Sequence, residues 1–582
     1  MPTTRRTTPR AAVRRSGKAK TAAVKAPKAK ASKAKASKAK AARAPEPRTD
    51  GDVRRAFELR FDAALFNARI PPPKHTTNGD EARYPDHRAL YAKCLKQRDL
   101  GIVDATAFAA FRRATGSVSP RRRRGTGDFE DPAIALGGDM KLNGPQAAFA
   151  RMLIGRDSSQ YGVPEVPPPP ALDSDAYATE LVEMYWASLL RDTPFQRYGD
   201  SELAAAAAVE LDACAGYAGP RDAEGRVTPA LLFRGGLSAN GTTWFAGETD
   251  GPYMSQFALQ AASFGALPFD QKFRAYASGV DYLTDEESFL AVQNGHAPAQ
   301  KNVVDPALRY LNDGRSLAAY THVDELYEAY FIAYLAMVAP GIAVPPNPGS
   351  PYRTYAKQQA FGTFGHPDVV ATLAAVARQA LNAVWYQKWV VHLRHRPEAG
   401  GGIVQSLMTR KSRSPFCDLK VLPARMARST AVERSASTYG GSYLLSQAFP
   451  EGSPTHPAYP TGHGTVAGAC ITVLKFFFDG QYVIPSPVVP TDDGLSLQPY
   501  VAPAGTGAGL RVNGELHKLA HNISFGHGIH AGIHWRSDTD ASIILGEAVA
   551  LSYLNDLART YHEKFKVTLT RLDGSPAVIS NA

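Results

Sequence analysis

Three segments in the last two hundred residues place lysine, arginine and histidine at spacings suited to holding a tetrahedral oxyanion. In the first, Lys388, His392 and Arg396 stand at i, i+4 and i+8, which on a helix puts all three on one face, with Pro397 ending the helix. Trp385, Trp389 and Leu393 make the surroundings apolar, and a lysine and an arginine buried there need an anion or a carboxylate. The second segment runs from His456 to His463, where Thr461-Gly462-His463 opens an apolar helix containing Val466, Ile471, Val473, Leu474 and Phe476. A helix N-terminus offers free N–H groups and partial positive charge. Thr461 adds a hydroxyl, Gly462 admits close approach of the backbone, and His463 is placed to exchange protons at the anion's apex. The third segment carries His521, His527, His530 and His534, with His527, His530 and His534 at the spacing of one helical face. That stripe leaves open a two-histidine-plus-carboxylate cation site. Asp538 follows His534 by one turn, where it can accept a hydrogen bond, fix the ring's tautomer and leave the other nitrogen free to attack or to ligate. Taken singly, each segment has a plainer reading: a solvated basic stripe, a threonine N-cap with an incidental histidine, surface histidines on an amphipathic helix.

The elements that must position these residues read as helices. Tyr177, Leu181, Met184, Tyr185 and Leu189 recur with helical spacing, and a similar pattern spans Val323 to Val338. Pro367 marks a helix start, after which Val370, Leu373, Val376, Ala377, Leu381, Val384 and Trp385 form an apolar face running into Lys388. Strand signals are short and few. The predicted architecture is mainly α, with the site between packed helices. Five prolines and two glycines between 340 and 351 suggest a boundary between an N-terminal helical region, 49–340, and a C-terminal bundle, 341–582, that carries the pocket.

Charge is unevenly spread. Residues 1–48 hold 16 Lys and Arg against the single acid Glu46, so the rest of the chain, with 50 basic and 53 acidic residues, is close to neutral. With almost no bulky apolar residues, this tail is predicted to be disordered, a tether for nucleic acid or an anionic surface or a solvated leader without a partner. The arginine run 121–124 reads as a solvated loop. Cys94, Cys214, Cys417 and Cys470 are far apart with no CxxC pair, which suits a reducing cytoplasm. The longest apolar run, Tyr330 to Val344, is broken by Pro340 and Gly341 and is too short for a bilayer span, so a soluble protein is expected.

Together, the lysine-to-arginine spacing of eight followed by proline, the His456-Pro457-Ala458-Tyr459-Pro460-Thr461-Gly462-His463 string and the His534…Asp538 pair resemble the vanadium-dependent haloperoxidases, particularly the bromoperoxidase type, of the type 2 phosphatidic acid phosphatase superfamily. The resemblance spans about residues 350–555. It implies a helical bundle of haloperoxidase and acid phosphatase type and a vanadate cofactor, with phosphate able to occupy the same pocket. Lys388, Arg396, Thr461 and the Gly462 N–H would hold equatorial oxygens, His463 would act as acid–base, His534 would bond the metal axially and His456 would line the halide side. Hydrogen peroxide, halide and a small organic compound would be the substrates, and a homo-oligomer is compatible. The family has serine where this chain has Thr461. It also has an arginine six residues before the axial histidine, where this chain has Gly528, or His527 if one residue is inserted. Two other reactions fit the same residues: a vanadate-independent rearrangement of an organic substrate, and phosphate ester hydrolysis through a phosphohistidine at His534.

Overall fold

The Gly462–Phe477 helix is buried along its whole length, because apolar residues surround its axis and leave no polar face. In the computed structural model, which describes residues 50–581 apart from 72, 101, 117–127, 237, 240–241 and 503–508, this helix is the centre of the bundle. The helices His366–Tyr386, Val512–Phe525 and Arg536–Ala558 pack against it. The closest of these crossings depends on glycine: a Cβ at Gly468 would lie 2.0 Å from the carbonyl oxygen of Ile543, and one at Gly546 would lie 2.1 Å from that of Thr465. Backbone-to-backbone packing of this kind sets the start of one helix, at Thr461, beside the start of the other, at Asp538. Among the described residues every sheet is a two-stranded antiparallel pair, so the fold is mainly α.

Several sequence expectations are met and others are corrected. Pro367 does sit in the first turn of its helix, and Leu373, Val376, Ala377, Val384 and Trp385 are buried. The pattern from Val323 to Val338 is two elements: one helix ends at Val323, Asp324 is extended, and the next helix begins at Glu328. The proline-rich stretch 340–351 does not separate two cores. Residues Ala56–Ala582 form one compact unit, and its main apolar cluster joins Leu181 and Tyr330 to Leu373 and Val466. The tail 1–48 and the arginine run 121–124 lie outside the described residues. The Arg536–Ala558 helix has the length and composition of a bilayer span, but it is a core helix whose buried residues include Arg536, Asp538, Asp540 and Glu547.

Buried histidines give the bundle an acid limit. His395 accepts a hydrogen bond from the Tyr177 hydroxyl at Nε2 (2.9 Å) and donates from Nδ1 to the carbonyl of Arg88 (3.1 Å), which satisfies the neutral ring completely. Burial pushes its pKa down to about 3, as it does for His392 and His530. A pKa lower in the folded than in the unfolded chain means that the unfolded chain binds more protons between the two values. Stability is therefore present above about pH 6.5 and lost as pH falls, by roughly 1.4 kcal/mol per pH unit for each such site.

Two measurements test these arguments. Gly468→Ala is expected to cost about 1–3 kcal/mol in urea unfolding. Gly199→Ala, whose Cβ would meet nothing within 4 Å, should change stability by less than about 0.5 kcal/mol. Urea midpoints of the wild type should fall steeply from pH 6.5 to 4.5, and His395→Gln should fall less steeply over the same range.

Candidate active site

The helix that starts at His366 continues as a π-turn, Gln387–His392, and stops at Leu393, which adopts the left-handed conformation (φ 48°). Arg396 is extended and caps the next helix, Pro397–Arg410. Lys388 and Arg396 therefore do not share a helical face, and Pro397 begins a helix instead of ending one. They converge across the turn. His392 leaves the group: its ring packs edge-on against Tyr459 at 4.7 Å. Lys388 is fully buried and donates from Nζ to the carbonyls of Pro457 (2.8 Å) and Ala458 (2.7 Å). Arg396 donates from Nε to the carbonyl of His456 (2.9 Å), from Nη1 to that of Ile533 (2.9 Å) and to His534 Nε2 (2.7 Å), and from Nη2 to His456 Nδ1 (2.9 Å). The first and second segments are thus bound to each other and to the third.

Thr461 is the N-cap of Gly462–Phe477, yet its hydroxyl caps nothing: Oγ1 is buried and lacks a partner. Its N–H donates to the main-chain carbonyl of Asp538 (3.1 Å). His463, in the helix's first turn, donates from Nε2 to Asp324 (3.0 Å), which the break between helices 314–323 and 328–338 delivers to it.

The third segment also departs from a single helix. Val512–Phe525 passes into a π-turn, Gly526–His530, then a turn at Gly532 (φ 89°), before Arg536–Ala558 begins. His530 is directed away, to the Tyr253 hydroxyl (2.9 Å), and His521 contacts Asp540 (3.3 Å). The proposed cation stripe does not form, and among the described residues no cluster of His, Cys, Asp and Glu suits a metal ion. A π-turn accommodates one extra residue in a helix, and here it brings His527 to the pocket. The ring stacks on His463 at 3.7 Å, lies 5.8 Å from His534, and donates from Nδ1 to the carbonyl of Thr321 (3.2 Å). Gly528 faces the same space, since a Cβ there would sit 3.3 Å from that of His534. Arg536 supplies no charge to the pocket, because its guanidinium is held by Glu183.

His534 donates from Nδ1 to Asp538 Oδ2 (2.9 Å), as its spacing predicts, so Nε2 keeps its lone pair and points at Arg396. Burial, together with Arg396 and Lys388, holds the pKa of His534 and of His456 well below the usual histidine value. Burial and His463 do the same for His527. Burial and Arg396 depress Lys388 strongly, and burial lowers Arg396 to about 10. Sequence reasoning missed Asp324, Glu180 and the role of Arg394. The two acids lie far upstream, Glu180 within a helix and Asp324 in the break after one, and Arg394 stands in the first segment without a spacing that marks it.

Among the described residues neither Lys388 nor Arg396 pairs with a carboxylate, whereas Arg394 between them pairs with two. Two buried cations, an unpartnered buried hydroxyl at a helix N-terminus and a histidine lone pair in contact with one of the cations supply the groups of a receptor for a tetrahedral oxyanion. Vanadate or phosphate fits this donor set.

Known proteins share both the fold and the sequence. A family model, the VCPO second helical-bundle domain, matches residues 368–563. The vanadium-dependent bromoperoxidase of Ascophyllum nodosum is 33% identical over 82% of this chain and 84% of its own length. That of Corallina officinalis is 31% identical over 91% of this chain and 99% of its own. The solved homohexameric structure of the second vanadate-dependent bromoperoxidase from Ascophyllum nodosum superposes with a TM-score of 0.82 at 28% identity, covering 90% of each chain. The chain belongs to the vanadium-dependent haloperoxidase family.

An anion filling the receptor must stabilise the fold. Inorganic phosphate at a hundred times its Kd is expected to raise unfolding free energy by about 2.7 kcal/mol. Arg396→Met should weaken phosphate binding by about 10- to 150-fold, the value of one charge-assisted contact, and lose that protection in thermal melts.

Proposed function

We propose that this protein is a vanadium-dependent haloperoxidase that oxidises halide with hydrogen peroxide, its vanadate held by His534. The observation that carries this reading is a pair of cations buried without carboxylates, Arg396 donating to the His534 Nε2 lone pair that Asp538 fixes and Lys388 close enough to act electrostatically on the same ring. Lys388, Arg396, the Thr461 hydroxyl and the Gly462 N–H would hold the oxygens of vanadate, and the lone pair of His534 Nε2 would hold its metal. When bound, vanadate supplies Lewis acidity toward peroxide without a change of oxidation state. His463, oriented by Asp324, takes up and returns the proton of the incoming peroxide at Nδ1. His456 faces the halide side with the Trp385 ring 4.7 Å away and the Arg396 guanidinium against its Nδ1.

His527 takes the place of the third fixed cation. It is a ring that burial keeps neutral, so this pocket holds vanadate with less positive charge than an arginine would give it. That difference favours, as a second reading, a vanadate-independent reaction on an organic substrate; phosphate ester hydrolysis would use the same His534–Asp538 pair. A homo-oligomer also suits this chain, in keeping with its hexameric neighbour.

Vanadate titration of metal-free protein, read by peroxide-dependent bromination of a phenol dye, tests the assignment. Activity should saturate with vanadate and fall to background in His534→Ala. His527→Arg should tighten vanadate binding by about 10- to 100-fold. Absence of vanadate binding in the wild type and in both His527→Arg and Gly528→Arg would reject the haloperoxidase reading in favour of the vanadate-independent one.

A further inference from the structure

We propose that Arg394 is a positioning residue: by holding Asp538 from behind, it fixes the ring of His534 with its Nε2 lone pair toward the anion. The inference rests on the oxyanion pocket described above and extends it to a residue that does not touch the anion.

Arg394 lies two positions before Arg396 but turns away from the pocket. Its Nη1 donates to Asp538 Oδ1 (2.8 Å) and to the Ser537 hydroxyl (2.8 Å), and its Nη2 donates to Glu180 Oε2 (2.9 Å). Asp538 thereby divides its two oxygens. Oδ1 serves Arg394, while Oδ2 accepts from His534 Nδ1 (2.9 Å) and from the Trp535 N–H (3.1 Å). With Oδ1 tied, the carboxylate cannot rotate about its Cβ–Cγ bond, so His534 has one acceptor in one place and one available tautomer.

Arg394 is itself held. Its guanidinium lies 4.8 Å over the Trp535 ring, and Glu180 also accepts from the Ser537 N–H (2.6 Å). Its main-chain carbonyl accepts from the Ala458 N–H (2.9 Å). The residue therefore joins all three segments of the site, through its own position in the first, its backbone to the second and its side chain to the third. A lysine would offer a single ammonium where two carboxylates and a hydroxyl are served by a planar fork.

The test compares wild type, Arg394→Lys, and a double variant carrying Arg394→Met and Glu180→Gln, in which one buried cation and one buried anion are removed together so that the net buried charge is unchanged. Two measurements are made at a temperature where each protein is folded. One is calorimetric affinity for inorganic phosphate. The other is the ¹⁵N spectrum of histidine-labelled protein, with the His534 signal assigned by its loss in His534→Ala. Wild type should show His534 as one Nδ1–H tautomer. The double variant should show mixed tautomers and bind phosphate about 10- to 100-fold more weakly, with Arg394→Lys between the two. A residue that only supports the fold would lower the melting temperature and leave both readings unchanged. A folded double variant with the wild-type tautomer and a phosphate Kd within about twofold of wild type would overturn the proposal. If the double variant does not fold, wild-type values in Arg394→Lys would overturn it. Phosphate binding without vanadate-dependent bromination would remove the haloperoxidase reading and leave this comparison standing.

Discussion

Burying Lys388 and Arg396 side by side without a carboxylate is the constraint on which the rest of the structure depends. Each charge is removed from water, and each repels the other across a medium of low dielectric. At contact distance the protein offsets this with neutral groups, the carbonyls of Pro457 and Ala458 on Lys388 and those of His456 and Ile533 on Arg396, while the Asp538 carboxylate acts on both cations from further away. Those carbonyls come from segments that pack around the two cations, so the chain must be folded back on itself at both places for the cations to be tolerated at all. Close packing of Gly462–Phe477 against Arg536–Ala558, made possible by glycine, provides that geometry. The remaining imbalance is what an anion corrects.

Acids are kept out of this space and used next to it. Glu180 and Asp538 take Arg394, Glu183 takes Arg536, and Glu398 takes Lys93. Each of these pairs is nearly dry. Had any of the carboxylates been directed at Lys388 or Arg396, the site would be a closed salt bridge with no affinity for an oxyanion. The separation of paired from unpaired cations within a few residues of sequence, Arg394 against Arg396, is therefore the selective feature of the site.

The sequence made the pocket's membership legible more readily than its construction. The spacing of Lys388 and Arg396 suggested convergence, and they do converge, but through a π-turn and a left-handed Leu393 that no periodicity signals. Thr461 as a helix start and Asp538 as the partner of His534 are local arrangements, one turn or less in length, and both were readable. His392 and His530 show where the reading fails: with helical spacing they should have joined the site, and the breaks at Leu393 and in the 526–530 π-turn send them elsewhere. Asp324 and Glu180 contact the site across 139 and 357 positions of sequence. Contacts of that span depend on tertiary packing and leave no pattern in one chain.

The tautomers of the site follow from the cations without further assumption. Arginine and lysine only donate, so a ring nitrogen facing either must carry a lone pair. Arg396 therefore makes His534 Nε2 an acceptor, and Asp538 independently requires the proton of His534 on Nδ1. The two demands on His534 agree. His527 obeys the same logic from the other side: its Nδ1 donates to the carbonyl of Thr321, so in the neutral ring Nε2 is also an acceptor. An arginine in that place would give the bound anion another donor. A neutral His527 gives it a base, which suits an oxyanion that still carries a proton and disfavours a fully deprotonated one. The replacement thus changes what the pocket selects as well as how tightly it binds.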